Sequence, residues 1–418
     1  MASDKLYDLA FAYKKTRLWT RIEEDQIFAV ELPDGRMAYV SIMGRNGEYN
    51  GINAYIGDSF QMYRKLSTFN PWDFMGDEFV EFEFRMGQDC LQLTWENKDG
   101  LMETELQEAT AYGKKYHHRY SGKESYPRFL RFAPSMQPWP ITDEAELGIL
   151  AETLEAALAV AALELEKEIP HFRKQKTVPR LVRNGQGFVK GKRVAVPAES
   201  QEVFPIAGAD RLDQVSWQKL KKCRKKETIE CGLLMLPAPV AREGMEGAYF
   251  PYILMSVKES NGEMLEFEPF TRQEWQSAPQ KPVNQLIAQL VKAKLRPSQI
   301  LCQDERTCAL LQGLGEVLKV EVRQEDDLPE LEECKDSMLE YLEMMDDKGG
   351  IEDYDGEFLD DVTEEEAKQK LLEFLLEMPD DQARQAPAEV QMLAQMLVME
   401  PDIPDISKKR IRKKFQIQ

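Results

Sequence analysis

From residue 252 to residue 322 the chain alternates short apolar runs with amphipathic stretches, and this limits the fold more than any other feature. Residues 252–257 are compact strand formers. Ser260-Asn261-Gly262-Glu263 follows, and Asn-Gly favours a two-residue type I′ turn because both central positions need positive φ. Residues 264–268 alternate apolar and acidic side chains and read as the returning arm of a hairpin. After Pro282, apolar residues at Val283, Leu286, Ile287, Leu290 and Val291 make the stripe of a helix with one buried face, which Pro297 should end. Ile300-Leu301-Cys302 is wholly apolar, as in a strand covered on both faces. Asp304 can cap the next helix, expected to stop around Gly313 and Gly315, and residues 318–322 alternate as a last strand. A strand, a crossover helix and a strand imply a parallel pair. The expectation is a mixed sheet with helices packed on it.

This order resembles an RNase H-like domain, the fold of many nucleases and integrases. The resemblance implies carboxylates holding two divalent metals around a phosphodiester. One acid should lie in the middle of the first strand and another at the end of the strand after the first helix. Asp304 stands at the second place, whereas 253–257 contains no acid and Glu259 is the nearest. One carboxylate cannot hold two metals, so the pattern argues against a nuclease and leaves Asp304 as a plain N-cap. Residues 252–331 also resemble the C-terminal module of an uncharacterised bacterial domain-of-unknown-function family, through the hairpin, "RPSQILCQDERTCALLQGLG" and "DLPELEE". That resemblance implies a fold and a bacterial origin and carries no chemistry.

At 418 residues the chain has room for two or three cores. No apolar run reaches the length of a membrane span, residues 147–165 being broken by Glu152, Glu155 and Glu164, and the first residues lack a signal-peptide core. A cytoplasmic protein is expected. The six cysteines form no C-x-x-C pair, so zinc and dithiol chemistry lack their spacing, and Cys302 reads as a core thiol rather than a nucleophile beside Asp304. His117 and His118 read as surface residues near a helix end, and His171 shows no metal-ligand spacing or partner. No cofactor is expected.

An N-terminal α+β domain with an antiparallel sheet is expected over 1–125, with Trp19, Trp72 and Trp95 in its core and residues 79–84 as a strand. The four glycines of 44–57 fit neither a Walker A loop nor a dinucleotide fingerprint, and read as a surface loop. Pro138 and Pro140 mark a break. A central mixed α/β domain is expected over 140–335, beginning with a long helix at 143–169. An acidic linker at 336–362 and a C-terminal helical hairpin with a basic tail at 363–418 complete the α+β organisation. The stretch "EDYDGEFLDD" fails as a calcium loop, because Ile351 and Val362 stand where oxygen ligands are needed.

Charge is strongly localised. Residues 172–226 hold fifteen Lys and Arg against four acids, whereas 325–367 hold twenty acids against two lysines and carry nearly all of the net charge of −20. Three readings follow. The first is a non-enzymatic binding or scaffold protein, which fits the missing catalytic set. The second is a nucleic-acid-associated protein using the basic block, above all Lys219, Lys221, Lys222, Arg224, Lys225 and Lys226. The third is a metalloenzyme built on Asp304. The basic block could instead be a solvated face or a partner for the chain's own acidic segment. Protein or nucleic acid are the partners considered, and no membrane.

Overall fold

Residues 28–31, 37–43 and 51–56 are short runs rich in β-branched and aromatic side chains, and they pair edge to edge. The computed structural model describes residues 4–67 apart from 46, 48 and 49, then 77–172, 176–198 apart from 186, 203–241, 247–346 and 405–415, with positions 376, 394, 397, 398 and 403. Its first part runs α1 (Asp4–Thr16), β1 (Phe28–Glu31), β2 (Met37–Met43), β3 (Gly51–Ile56), α2 (Phe60–Ser67), α3 (Glu78–Arg85), β4 (Cys90–Glu96) and α4 (Glu103–Tyr116). It continues with β5 (Tyr126–Phe132), β6 (Trp139–Pro140), α5 (Glu144–Ala162), β7 (Thr177–Val178), β8 (Arg180–Asn184), β9 (Gly187–Lys190) and β10 (Val194–Ala195).

Eight of these strands form one sheet in the order β6-β5-β4-β3-β2-β1-β8-β9, antiparallel except where β8 joins β1 in parallel. One face is buried under α1 and α5, whose Leu6, Tyr13, Leu150, Leu154 and Ala157 share a core with Val30, Val40 and Leu93. An aromatic group that includes Tyr39, Tyr55, Phe60, Tyr63 and Phe172 covers the other face. The glycine-rich stretch is therefore not all surface loop. Its second half is β3, in the middle of the sheet, where a Cβ at Gly51 would lie 2.5 Å from the Leu93 carbonyl. The long helix packs on this sheet rather than in the central domain, and it ends at Ala162, with a 3-10 turn over Leu165–Glu168. Trp19 and Trp95 are core residues, and Trp72 lies outside the described residues.

The second sheet is built by α6 (Gln214–Leu220), β11 (Lys225–Met235), β12 (Tyr252–Lys258), α7 (Arg272–Ser277), α8 (Gln280–Lys292), β13 (Leu295–Cys302), α9 (Glu305–Leu318), β14 (Glu321–Gln324) and α10 (Pro329–Asp346). Its order is β12-β11-β13-β14, with β12 antiparallel to β11 and the other pairs parallel. Alternate residues of β11 serve alternate faces, as the strand repeat requires. Ile229, Cys231 and Leu233 meet α8 and α9, while Leu234 meets Leu331 of α10 and Phe79 of α3.

Several expectations change. Residues 79–84 are helical, because Asp77 caps α3 by accepting from the Val80 N–H and because Phe79 and Phe82, three residues apart, both find apolar beds in the central domain. Residues 264–268 form no strand. The partner of β12 is β11, and the returning chain touches β12 through isolated bridges, Val257 to Met264 and Tyr252 to Phe270. Gly262 has φ +66°, but Asn261 does not have positive φ, so the turn is not type I′. Pro297 lies inside β13, and α8 ends earlier, where Lys294 takes φ +54°. The glycines at 313 and 315 do not stop α9, which runs to Leu318 and closes on the left-handed Lys319. The strand expected at 318–322 begins only at Glu321.

The chain divides into two units, 1–344 and 345–418. The segment expected as a linker begins inside α10. The loose segment and first helix of the expected C-terminal hairpin lie outside the described residues, apart from Asp346 and Leu376, and Ala394, Leu397 and Val398 are helical. The basic tail forms α11 (Asp405–Phe415), with Ile411 and Phe415 buried. The two large sheets with their helices, and a small two-stranded sheet of β7 and β10, make this an α+β protein. Among the described residues no helix is long and apolar enough to cross a membrane.

Candidate functional site

The two groups of residues singled out in the sequence sit at opposite ends of the central sheet. β11 pairs with β13 from Lys225 opposite Leu295 to Cys231 opposite Cys302, a span of about 20 Å at the strand rise. Asp304 stands at one end and the basic cluster at the other.

At the Asp304 end, Asp304, Asp77, Glu83 and Glu230 each have a partner. Asp304 caps α9, accepting from the Thr307 N–H at 2.7 Å, and its other oxygen lies 3.4 Å from Arg306 Nη2. β13 stops at Cys302, so the last part of β11 would show an unpaired edge there. The side chains of α9 fill that gap: Thr307 accepts from the Leu233 N–H at 3.1 Å, and Arg306 donates to the Leu233 carbonyl at 2.7 Å. Helix α3 completes the seal. Glu83 pairs with Arg306 at 2.5 Å and accepts from Tyr252 at 2.9 Å. Asp77 accepts from Gln303 and from Lys335, both at 2.6 Å. On the strand beside β13, the buried acid Glu230 accepts from the Leu331 N–H of α10 at 2.8 Å. Glu230 and Asp304 are thus spent on the first turns of two different helices. A hydrogen bond with Cys308, together with burial, pushes the Cys302 thiol up, so it stays protonated and is a poor nucleophile.

The basic end is different. Lys219 closes α6, Lys221, Lys222 and Arg224 form the connection, and Lys225 and Lys226 open β11. Arg296 holds this connection by donating to the Lys221 and Leu318 carbonyls. All six cations are exposed except Lys221, which is half-buried with its ammonium 4.4 Å from the centre of the Trp217 ring. None of the six forms an ion pair among the described residues. The sheet register brings exposed Lys294 alongside them. The first half of the basic block behaves otherwise. Arg180 pairs with Glu31 at 3.0 Å, Arg183 with Glu152 and Glu155 of α5, and Lys190 with Glu168. The molecule pairs these cations with its own acids, whereas the cluster at 219–226 forms no ion pair among the described residues.

Sequence reasoning missed one cluster. His171 Nδ1 lies 2.6 Å from Asp25, and with Glu23 these residues bring three potential metal-ligand atoms within 4.8 Å of one another. The cluster is internally satisfied, since Glu23 also lies 3.6 Å from Arg45. No sequence signal could find it, because 146 residues separate His171 from Asp25. Of the two neighbouring histidines, His117 is exposed and His118 is not fully so. His118 is half-buried against the Phe11 ring at 3.9 Å, and burial lowers its pKa.

A search of the curated proteins returns no match. The expected resemblance to a domain-of-unknown-function family is met over the second sheet, and a second such family model matches the first, neither of them spanning half of the chain. The first sheet and its helices, residues 4–183, match the family described as domain of unknown function (DUF7309), and the second, residues 216–339, match the one described as domain of unknown function (DUF6930).

Proposed function

We propose that this is a non-enzymatic binding protein, and that the basic end of its central sheet docks the phosphate backbone of a nucleic acid. One observation carries the reading: six neighbouring cations form no ion pair among the described residues, in a chain whose other basic residues at 180–190 are paired with acids. Clustered cations on a rigid support are what phosphate neutralisation requires. The closed network around Asp304 supports the non-catalytic half of the proposal, since its carboxylates face Arg306 and Lys335 rather than converging on open space. The net charge of −20 opposes long-range attraction, so affinity depends on this local edge and falls steeply with salt.

The test is fluorescence anisotropy with labelled single-stranded and duplex DNA and RNA between about 50 and 200 mM salt. Binding is expected to weaken linearly in log salt. The exposed quadruple variant Lys222→Gln, Arg224→Gln, Lys225→Gln, Lys226→Gln should lower affinity at least tenfold and flatten the salt slope by roughly 3 to 4. No binding at the lowest salt, or equal binding by the variant, would refute the nucleic-acid assignment.

A further inference from the structure

A cleft of about 280 Å³ opens where α3 meets the central domain, walled by Glu83, Phe204, Pro205, Arg272, Trp275 and Arg306 among others. Its polar lining is weighted towards donors. Arg306 gives Nη1 to Glu83 and Nη2 to the Leu233 carbonyl, while its buried Nε–H has no acceptor. Trp275 is 4% exposed and its indole N–H has no acceptor either. Arg272 is half-buried and forms no hydrogen bond or ion pair among the described residues. Glu83, the one acid in the lining, is engaged by Arg306 and by the Tyr252 hydroxyl. Buried donors without acceptors are rare in folded proteins, and a guanidinium fork matches an oxyanion in two parallel hydrogen bonds. Clefts at domain junctions with a few converging polar groups are common ligand sites.

Two arginines against one glutamate leave a single net positive charge in the lining. We propose that this cleft binds a small organic monocarboxylate, its charged end in the Arg272 fork and its apolar body against Trp275 and Phe204. The ligand would touch both domains at once. The site is independent of the basic sheet edge, since α7 and the tip of β13 lie away from it, and the Gln-substituted edge variant should bind such a ligand as well as the parent does.

The experiment is calorimetric and tryptophan-fluorescence titration of the full chain with sodium benzoate, at constant ionic strength, with inorganic phosphate as a second probe. Saturable benzoate binding with a Kd of about 1 mM or tighter is expected. Arg272→Ala should weaken it at least tenfold, and Arg272→Lys, which keeps the charge but loses the fork, by a smaller factor. Far-ultraviolet circular dichroism confirms that each variant folds. No saturable signal from benzoate, equal affinity in a folded Arg272→Ala protein, or phosphate binding where benzoate does not, would overturn the assignment. Should Arg272→Ala fail to fold, Arg272→Lys binding benzoate as tightly as the parent would overturn it equally.

Discussion

Glu230 lies on an interior strand with 1% of its surface exposed, and its local interactions are mixed. Burial raises its pKa above the ordinary carboxylate value, Glu259 and Glu330 push the same way, and the Leu331 N–H works against them. For an acid whose pKa is raised by folding, ionisation favours the unfolded chain. The contribution to stability is complete below about pH 4 and is lost as pH rises through the folded value. Glu230→Gln keeps an acceptor for the Leu331 N–H and removes the charge. Its melting temperature should exceed that of the parent at pH 7 to 8, and the difference should vanish near pH 4 in a series of thermal melts. The role of Asp304 could be read from the chain because an N-cap is a local device, decided by one carboxylate and the three residues after it. Glu230 could not, because which strand neighbours β13 is a matter of topology rather than composition.

At the scale of elements, α8 and the core of β13 follow their apolar patterns: Val283, Leu286, Ile287 and Leu290 are buried along one helix stripe, and Ile300, Leu301 and Cys302 are buried together. Helix α3 does not, because its alternating Phe and Glu have the strand period and only the central domain decides between the two conformations. The glycines of α9 mislead for another reason. They serve close approach: a Cβ at Gly313 would fall 2.0 Å from the Ala207 carbonyl and one at Gly315 2.5 Å from Val322. Gly313→Ala should therefore destabilise the protein by about 1–3 kcal/mol, against a helix-propensity gain of only about 1 kcal/mol. Urea unfolding measures the balance, and a neutral or stabilising outcome would contradict the contact.

For the molecule as a whole, the two family matches do not correspond to two self-sufficient bodies. Helix α3 belongs to the first match by sequence and covers the second sheet in space. Phe79 is 1% exposed and shares its cluster with Leu234, Ile253, Met255 and Leu301. A fragment of residues 203–346 would leave that bed open, and exposed apolar surface of this kind promotes self-association. The fragment is expected to bind an apolar dye and elute as aggregates in size-exclusion chromatography, whereas the chain 1–346 stays monodisperse. A monodisperse, dye-free fragment would show that α3 is dispensable.

The covering helix is also made before what it covers. Residues 78–85 leave the ribosome roughly 140 residues ahead of the first strand of their sheet, a delay on the order of ten seconds at ordinary synthesis rates. Throughout that interval Phe79 and Phe82 have no native bed, so the nascent chain carries a sticky helix that a ribosome-associated chaperone could hold until the rest arrives.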